Sequence, residues 1–182
     1  ISYGTSIDLE EQAEDFITNW GSPIAQHGDL FNIMGNHDFT IAENAQSDNG
    51  DTFPMQYTRN VLMSKNDTNY ILVTNPDDSS ALYYYVDNKN QKIRYIIINS
   101  TDTITEGVAW GTNFTFSKVQ SDFIANAINQ CPADYKIIML SHIYPLSPYT
   151  NTKSEQVVYS SLYYFVRAAW TKGVTAINNT RY

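Results

Sequence analysis

Two short runs, Ile93-Arg94-Tyr95-Ile96-Ile97-Ile98 and Tyr135-Lys136-Ile137-Ile138-Met139-Leu140, constrain this chain most, because each is apolar along nearly its whole length. Runs of about four to eight such residues read as strands whose two faces are both covered. Between them, Thr115 or Ser117 offers an N-cap, and Val119, Phe123, Ile124, Ala127 and Ile128 fall on one face of a helix that ends before Cys131-Pro132. The remaining chain must pack around that strand, helix and strand.

A second β-rich run, Ala81 to Val86, joins Ile93 to Ile98 through Asp87-Asn88-Lys89-Asn90, turn chemistry that suits an antiparallel hairpin. Upstream, Leu9, Ala13, Phe16, Ile17 and Trp20 recur at helical spacing from Asp8 to Trp20, with Asp8 as N-cap, Glu11 three residues later and Gly21 as a stop. Leu30-Phe31-Asn32-Ile33-Met34 has the length and composition of a strand and breaks off at Gly35. Residues 54–64 read as a short helix around Met55, Tyr57, Val61 and Leu62, and an amphipathic stretch from Val157 to Trp170 closes the pattern at Gly173. Strands and helices alternating around one hairpin define an α/β class with mixed strands, and 182 residues without an internal repeat fit one domain over 1–182.

Composition removes several function classes. The formal net charge is −8 and no Lys or Arg run interrupts it, so the electrostatic footprint of a nucleic-acid binder is missing. No apolar run approaches the roughly 20 residues that cross a bilayer, so no membrane partner is expected. Cys131 is the only cysteine; it can form no internal disulfide, and with no histidine beside it reads as an inert residue near a helix end. Four Asn-x-Ser/Thr sequons begin at Asn66, Asn99, Asn113 and Asn178, and in a chain rich in Asn and Thr they read as coincidence rather than glycosylation sites.

The residues that carry chemistry cluster where strands end, which is where ligand sites of open α/β sheets lie. Gly35-Asn36-His37-Asp38 follows the Leu30 to Met34 run, and the four residues supply a sharp turn, an amide oxygen, an imidazole and a carboxylate. His142 follows the Tyr135 to Leu140 run and offers a second nitrogen to the same pocket if the two strands lie close. His27 precedes Gly28-Asp29 and reads as a loop residue; Asp102, in Ser100-Thr101-Asp102, reads as part of a turn. Arg59, Arg94, Arg167 and Arg181 are candidates for phosphate contacts that the sequence cannot place.

In order and spacing these residues resemble the calcineurin-like metallophosphoesterases, whose motifs run Asp-x-His, Gly-Asp-x-x-Asp, Gly-Asn-His-Asp/Glu, a lone His and Gly-His-x-His. The third motif matches Gly35 to Asp38 and the fourth matches His142; an apolar run before the third, a strand closing in Asn99-Ser100 and a helix bearing Gln120 extend the likeness over most of the chain. The resemblance implies an α/β/β/α sandwich around a mixed sheet. It further implies hydrolysis of a phosphate mono- or diester by a hydroxide activated between two divalent ions such as manganese, iron or zinc. Asn36 and His142 would ligate one ion. His37 would face the scissile phosphate as a charge stabiliser or proton donor to the leaving oxygen. Asp38 would orient His37 or a loop amide, or serve only as a turn or helix cap.

Only part of that centre is encoded here. The residues two before His27, His37 and His142 are Ala25, Gly35 and Leu140, so Asp-x-His is missing, and no two histidines stand two apart as in Gly-His-x-His. The resemblance therefore implies a sandwich incomplete at both ends, with the first two motifs before Ile1 and the last after Tyr182, and these residues alone are not expected to be a competent phosphatase. The 14 tyrosines, the abundance of Asn and Thr and the low charge also resemble phage-associated members of the family. The alternative expectation is thus a structural or adhesive module in a virion or on an extracellular surface, bound to other subunits of a larger assembly.

Overall fold

The computed structural model describes residues 6–35, 38, 55–100 and 117–142. Their architecture is mixed α/β: helices surround a four-stranded sheet that is partly antiparallel and partly parallel. The strands are β1 (Leu72–Thr74), β2 (Tyr84–Asn88), β3 (Ile93–Ile98) and β4 (Lys136–Ser141), and they lie side by side in that order. β1, β2 and β3 form an antiparallel meander, whereas β4 runs parallel to β3, with Ile98 opposite Ser141. A parallel pair needs a crossover, and the helix α4 (Lys118–Asn129) stands in the sequence between those two strands.

The expected amphipathic face of α4 is the one that closes the core. Ile124, Ala125, Ala127 and Ile128 pack on Ile96 and Ile98 of β3, with Ile137 and Met139 of β4 against them. Val119 was expected on that face, yet it lies one turn too early and is exposed. Ser117 is the N-cap, accepting a hydrogen bond from the Gln120 N–H at 3.0 Å. On the other side of the sheet, Tyr84, Val86 and Ile97 gather Phe31, Ile33, Leu72, Tyr95 and Leu140. β3 is covered on both faces, as its composition predicts, but β4 is not: Ile138 is 39% exposed.

The hairpin turns later than its composition predicts. β2 begins at Tyr84 rather than Ala81 and runs through Asp87 to Asn88, which pairs with Ile93, so the turn is Lys89 to Lys92. Arg94 holds Asp87 in the ladder from the opposing strand, and Asn88 caps the turn by accepting from the Gln91 N–H at 3.0 Å. Lys92 then takes the left-handed conformation, φ 54°, that closes the turn.

Helix α1 (Ser6–Phe16) starts before Asp8, and Gly21 does not stop it: a π-helical turn, Ile17–Gly21, leads straight into α2 (Ser22–Ala25). Gly21 is closely packed by side chains. A Cβ there would meet Ile17 Cδ1 at 2.8 Å and Leu30 Cδ2 at 3.2 Å. Helix α3 (Met55–Met63) forms where Tyr57, Val61 and Leu62 predicted it, and Leu62 shares a small core with Ala13, Met34 and Leu82. The stretch Val157 to Trp170 lies outside the described residues, and no described helix is long and apolar enough to cross a membrane.

Candidate functional site

The segment leading to Gly35 is not the strand its composition predicts. It makes one antiparallel bridge, Leu30 with Asp67, and no ladder. Side chains take over the backbone groups that a ladder would have satisfied. The Asn32 N–H donates to Asn66 Oδ1 at 2.6 Å, the Tyr84 hydroxyl donates to the Asn32 carbonyl at 2.7 Å, and Asn32 Nδ2 donates to the Leu62 carbonyl at 2.8 Å. Burial pushes the Tyr84 phenol far above its ordinary pKa, so it remains a neutral donor at any working pH. Phe31 and Ile33 pack on the sheet, while Met34 joins the helical core with Ala13 and Leu62. The apolar alternation is thus used for packing, and the polar Asn32 is used for anchoring.

That anchored segment delivers Gly35 to the carboxyl end of the parallel pair. β3 ends at Ile98 and β4 at Ser141 in the same register, so His142 steps off β4 beside Asn99. Along β4, Leu140 faces the Phe31 and Ile33 side of the sheet, and alternation puts His142 on that side too. The approach is close: a Cβ built on Gly35 would stand 3.1 Å from His142 Nδ1 and 3.2 Å from its Cγ and Cε1. Gly35 is buried and its φ is not in the left-handed region, so what glycine provides here is room beside the ring rather than a special backbone angle.

Asp38 folds the loop back on itself. Its carboxylate accepts from the Gly35 N–H at 2.8 Å, and its own N–H donates to the Gly35 carbonyl at 3.2 Å. The contacts in the described residues fit both the loop-amide role and the turn role expected of Asp38. Asn36 and His37 lie outside the described residues, as do Asp102, Arg167 and Arg181.

β3 is pinned at the same end by Gln120. Its Oε1 accepts from the Asn99 N–H at 2.9 Å and its Nε2 donates to the Asn99 carbonyl at 2.8 Å, all fully buried. Asn99 is buried with it, whereas Asn66 is half-buried and accepts the Asn32 N–H through Oδ1. Beneath α4, the hydroxyls of Ser100, Ser121 and Ser141 are buried without a hydrogen-bond partner among the described residues.

The other candidates stand elsewhere. His27 is exposed in the turn after α2, as its loop reading predicts. Arg59 Nε donates to the Ala81 carbonyl at 3.1 Å, and Arg94 is committed to Asp87. Cys131 is half-buried just beyond α4. Sequence reasoning missed Asn32, Asn66 and Tyr84, which hold the approach to Gly35; their partners are 34 and 52 residues apart, so no local pattern announces them. Among the described residues no three His, Cys, Asp or Glu side chains form a metal-binding group. Compared with known proteins, the chain matches no family model, no curated protein and no solved structure.

Proposed function

We propose that this chain is the central part of a calcineurin-like metallophosphoesterase domain, an α/β/β/α sandwich whose complete form hydrolyses a phosphate mono- or diester. One observation carries the reading: the imidazole of His142 packs against Gly35, the first residue of Gly35-Asn36-His37-Asp38. Two motifs more than a hundred residues apart, each at the end of an apolar run, meet at the carboxyl edge of one sheet.

The donor chemistry fits one half of a dinuclear centre. An Asn36 amide oxygen and a His142 imidazole are neutral ligands for one divalent ion, and the carboxylates and further imidazoles of a full centre must come from other residues of the parent protein. When bound, two such ions supply Lewis-acid polarisation of a phosphoryl oxygen and a water acidified toward neutrality. The rest falls to this chain. Asp38 holds both backbone groups of Gly35, the residue against which His142 lies. The Gln120 clamp on Asn99 and the parallel register fix the neighbouring strand end, so His142 has a rigid base. In this reading His37 protonates the leaving oxygen or stabilises its charge, a contribution of about 10²–10⁴-fold for a positioned acid.

The test is metal content and turnover of the full-length protein. Stoichiometric manganese, iron or zinc and hydrolysis of bis(p-nitrophenyl) phosphate are expected, with metal reduced by Asn36→Ala and by His142→Ala. His37→Ala should keep the metal and lose turnover. A full-length protein that holds no metal and turns over no ester would leave the fold as a structural or adhesive module of a larger assembly.

A further inference from the structure

Helix α3 brings a cation to the Gly35 loop. The segment from Leu30 runs antiparallel along that helix, and its contacts step toward the helix's amino end: Leu30 bridges Asp67, Asn32 bonds Asn66 and the Leu62 carbonyl, and Met34 shares a core with Leu62. An extended chain advances about 3.3 Å per residue and a helix about 1.5 Å, so each residue past Met34 passes about two of α3. Gly35 therefore comes level with the turn before Leu62. Arg59 lies in that turn, three residues ahead of Leu62 and on the same side of the helix.

A contact with the sheet puts Arg59 in the same place. Its Nε donates to the Ala81 carbonyl at 3.1 Å. With Tyr84 opposite Ile97, the register carries Ala81 level with Ser100, at the carboxyl end of β3 where His142 leaves β4. Leu82, the next residue, packs on Met34, so Arg59 and Gly35 share one side of the sheet. Strands lie about 4.8 Å apart, which sets Ala81 about 10 Å from the end of β4, a gap that an arginine and one phosphate group bridge.

The surrounding charges leave the guanidinium available. Arg59 is half-buried and joins no ion pair among the described residues. Glu10 and Glu14 of α1 face another flank of α3, on Tyr57 and Lys65. Asp77 and Asp78 line a hollow with Ser117 and Val119 at the start of α4, and Asp78 is taken by Ser80 and by Tyr83, which packs on Phe123 across the sheet from Arg59. Asp38 accepts from the Gly35 N–H. With Nε spent on a buried carbonyl, Nη1 and Nη2 have no partner among the described residues, and a guanidinium held in this way suits an oxyanion. We infer that Arg59 is the anion-binding side chain of the Gly35 and His142 site, holding a nonbridging phosphoryl oxygen of the substrate through Nη1 or Nη2. The inference rests on the phosphoesterase reading of that site, and it adds the positive side chain that the neutral Asn36 and His142 donors do not supply.

The test compares Arg59→Gln and Arg59→Lys with the parent residue in the full-length protein, using p-nitrophenyl phosphate, bis(p-nitrophenyl) phosphate and inorganic phosphate as inhibitor. Arg59→Gln should keep its metal, raise KM and weaken phosphate inhibition by roughly tenfold or more, and change kcat less. Arg59→Lys, which keeps the charge and a donor for Ala81, should hold the parent unfolding midpoint and show a smaller rise in KM. Metal-loaded, active variants whose KM and phosphate inhibition stay within twofold of the parent overturn the inference. A full-length protein with neither metal nor turnover instead removes the phosphoesterase reading, and Arg59 is then judged on inorganic phosphate alone. A saturable shift of the Arg59 Nε–Hε correlation during that titration supports the anion site, and its absence overturns it.

Discussion

The two ends of the β3–β4 pair are built on different principles. At the hairpin end strand and turn are tied together by polar pairs: Arg94 reaches both oxygens of Asp87 and the Ala127 carbonyl at 2.6 Å, Asn88 and Gln91 bond each other, and Lys92 meets Asp134 at 2.7 Å. At the carboxyl end three buried serine hydroxyls lack partners among the described residues, and an exposed imidazole rests on a glycine. The contrast shows that the hairpin end is the one whose side-chain pairs organise the sheet.

The sharpest way to break this comparison is Arg94→Ala. It strands a partly buried Asp87 and a helix carbonyl, so unfolding in urea should show a loss of about 3–5 kcal/mol. A loss under about 1 kcal/mol would mean that the hairpin end is not the organising one. Tyr84→Phe comes next. Removing its hydroxyl leaves the Asn32 carbonyl without that donor and should cost about 1–3 kcal/mol by the same measurement, with the Gly35 amide resonance shifting although the substitution is remote in sequence.

At the carboxyl end the effects should be small in stability and large in geometry. Gly35→Ala forces a methyl to within 3.1 Å of the His142 ring, which is exposed and can swing away. Its unfolding midpoint should change by no more than about 1 kcal/mol, while the His142 Cε1–Hε1 correlation moves. Ser121→Ala should be the mildest: deleting a buried hydroxyl that has no partner among the described residues and raising helix propensity should leave the protein unchanged or more stable by up to about 1 kcal/mol. Clear destabilisation by Ser121→Ala would show that this end, too, is held by its polar groups.

What the sequence discloses follows the range of the forces involved. α3, α4, β3 and β4 are legible because periodicity and caps are local, and Ser117 caps α4 as its position predicts. The segment Leu30 to Met34 misleads because an apolar run declares burial without declaring what its backbone bonds to, and here Asn66 and Tyr84 replace a ladder. β1 escapes notice because Leu72–Thr74 is three residues long and half exposed. In the site, residue types at strand ends disclose Gly35 and His142, but nothing local discloses that their atoms come within contact, which the parallel register of β3 and β4 imposes.

The anchoring of Asn32 has a consequence for how this protein can diverge. A segment seated by a ladder tolerates any strand-forming residue, since the bonds belong to the backbone. This one is seated by the side chains of Asn66 and Tyr84. Selection on the loop would therefore register at two positions far from it, while Phe31 and Ile33 drift among apolar residues of similar size. Grafting residues 30–38 alone into another scaffold should carry the motif without its posture; moving them together with the counterparts of Asn66 and Tyr84 should carry both.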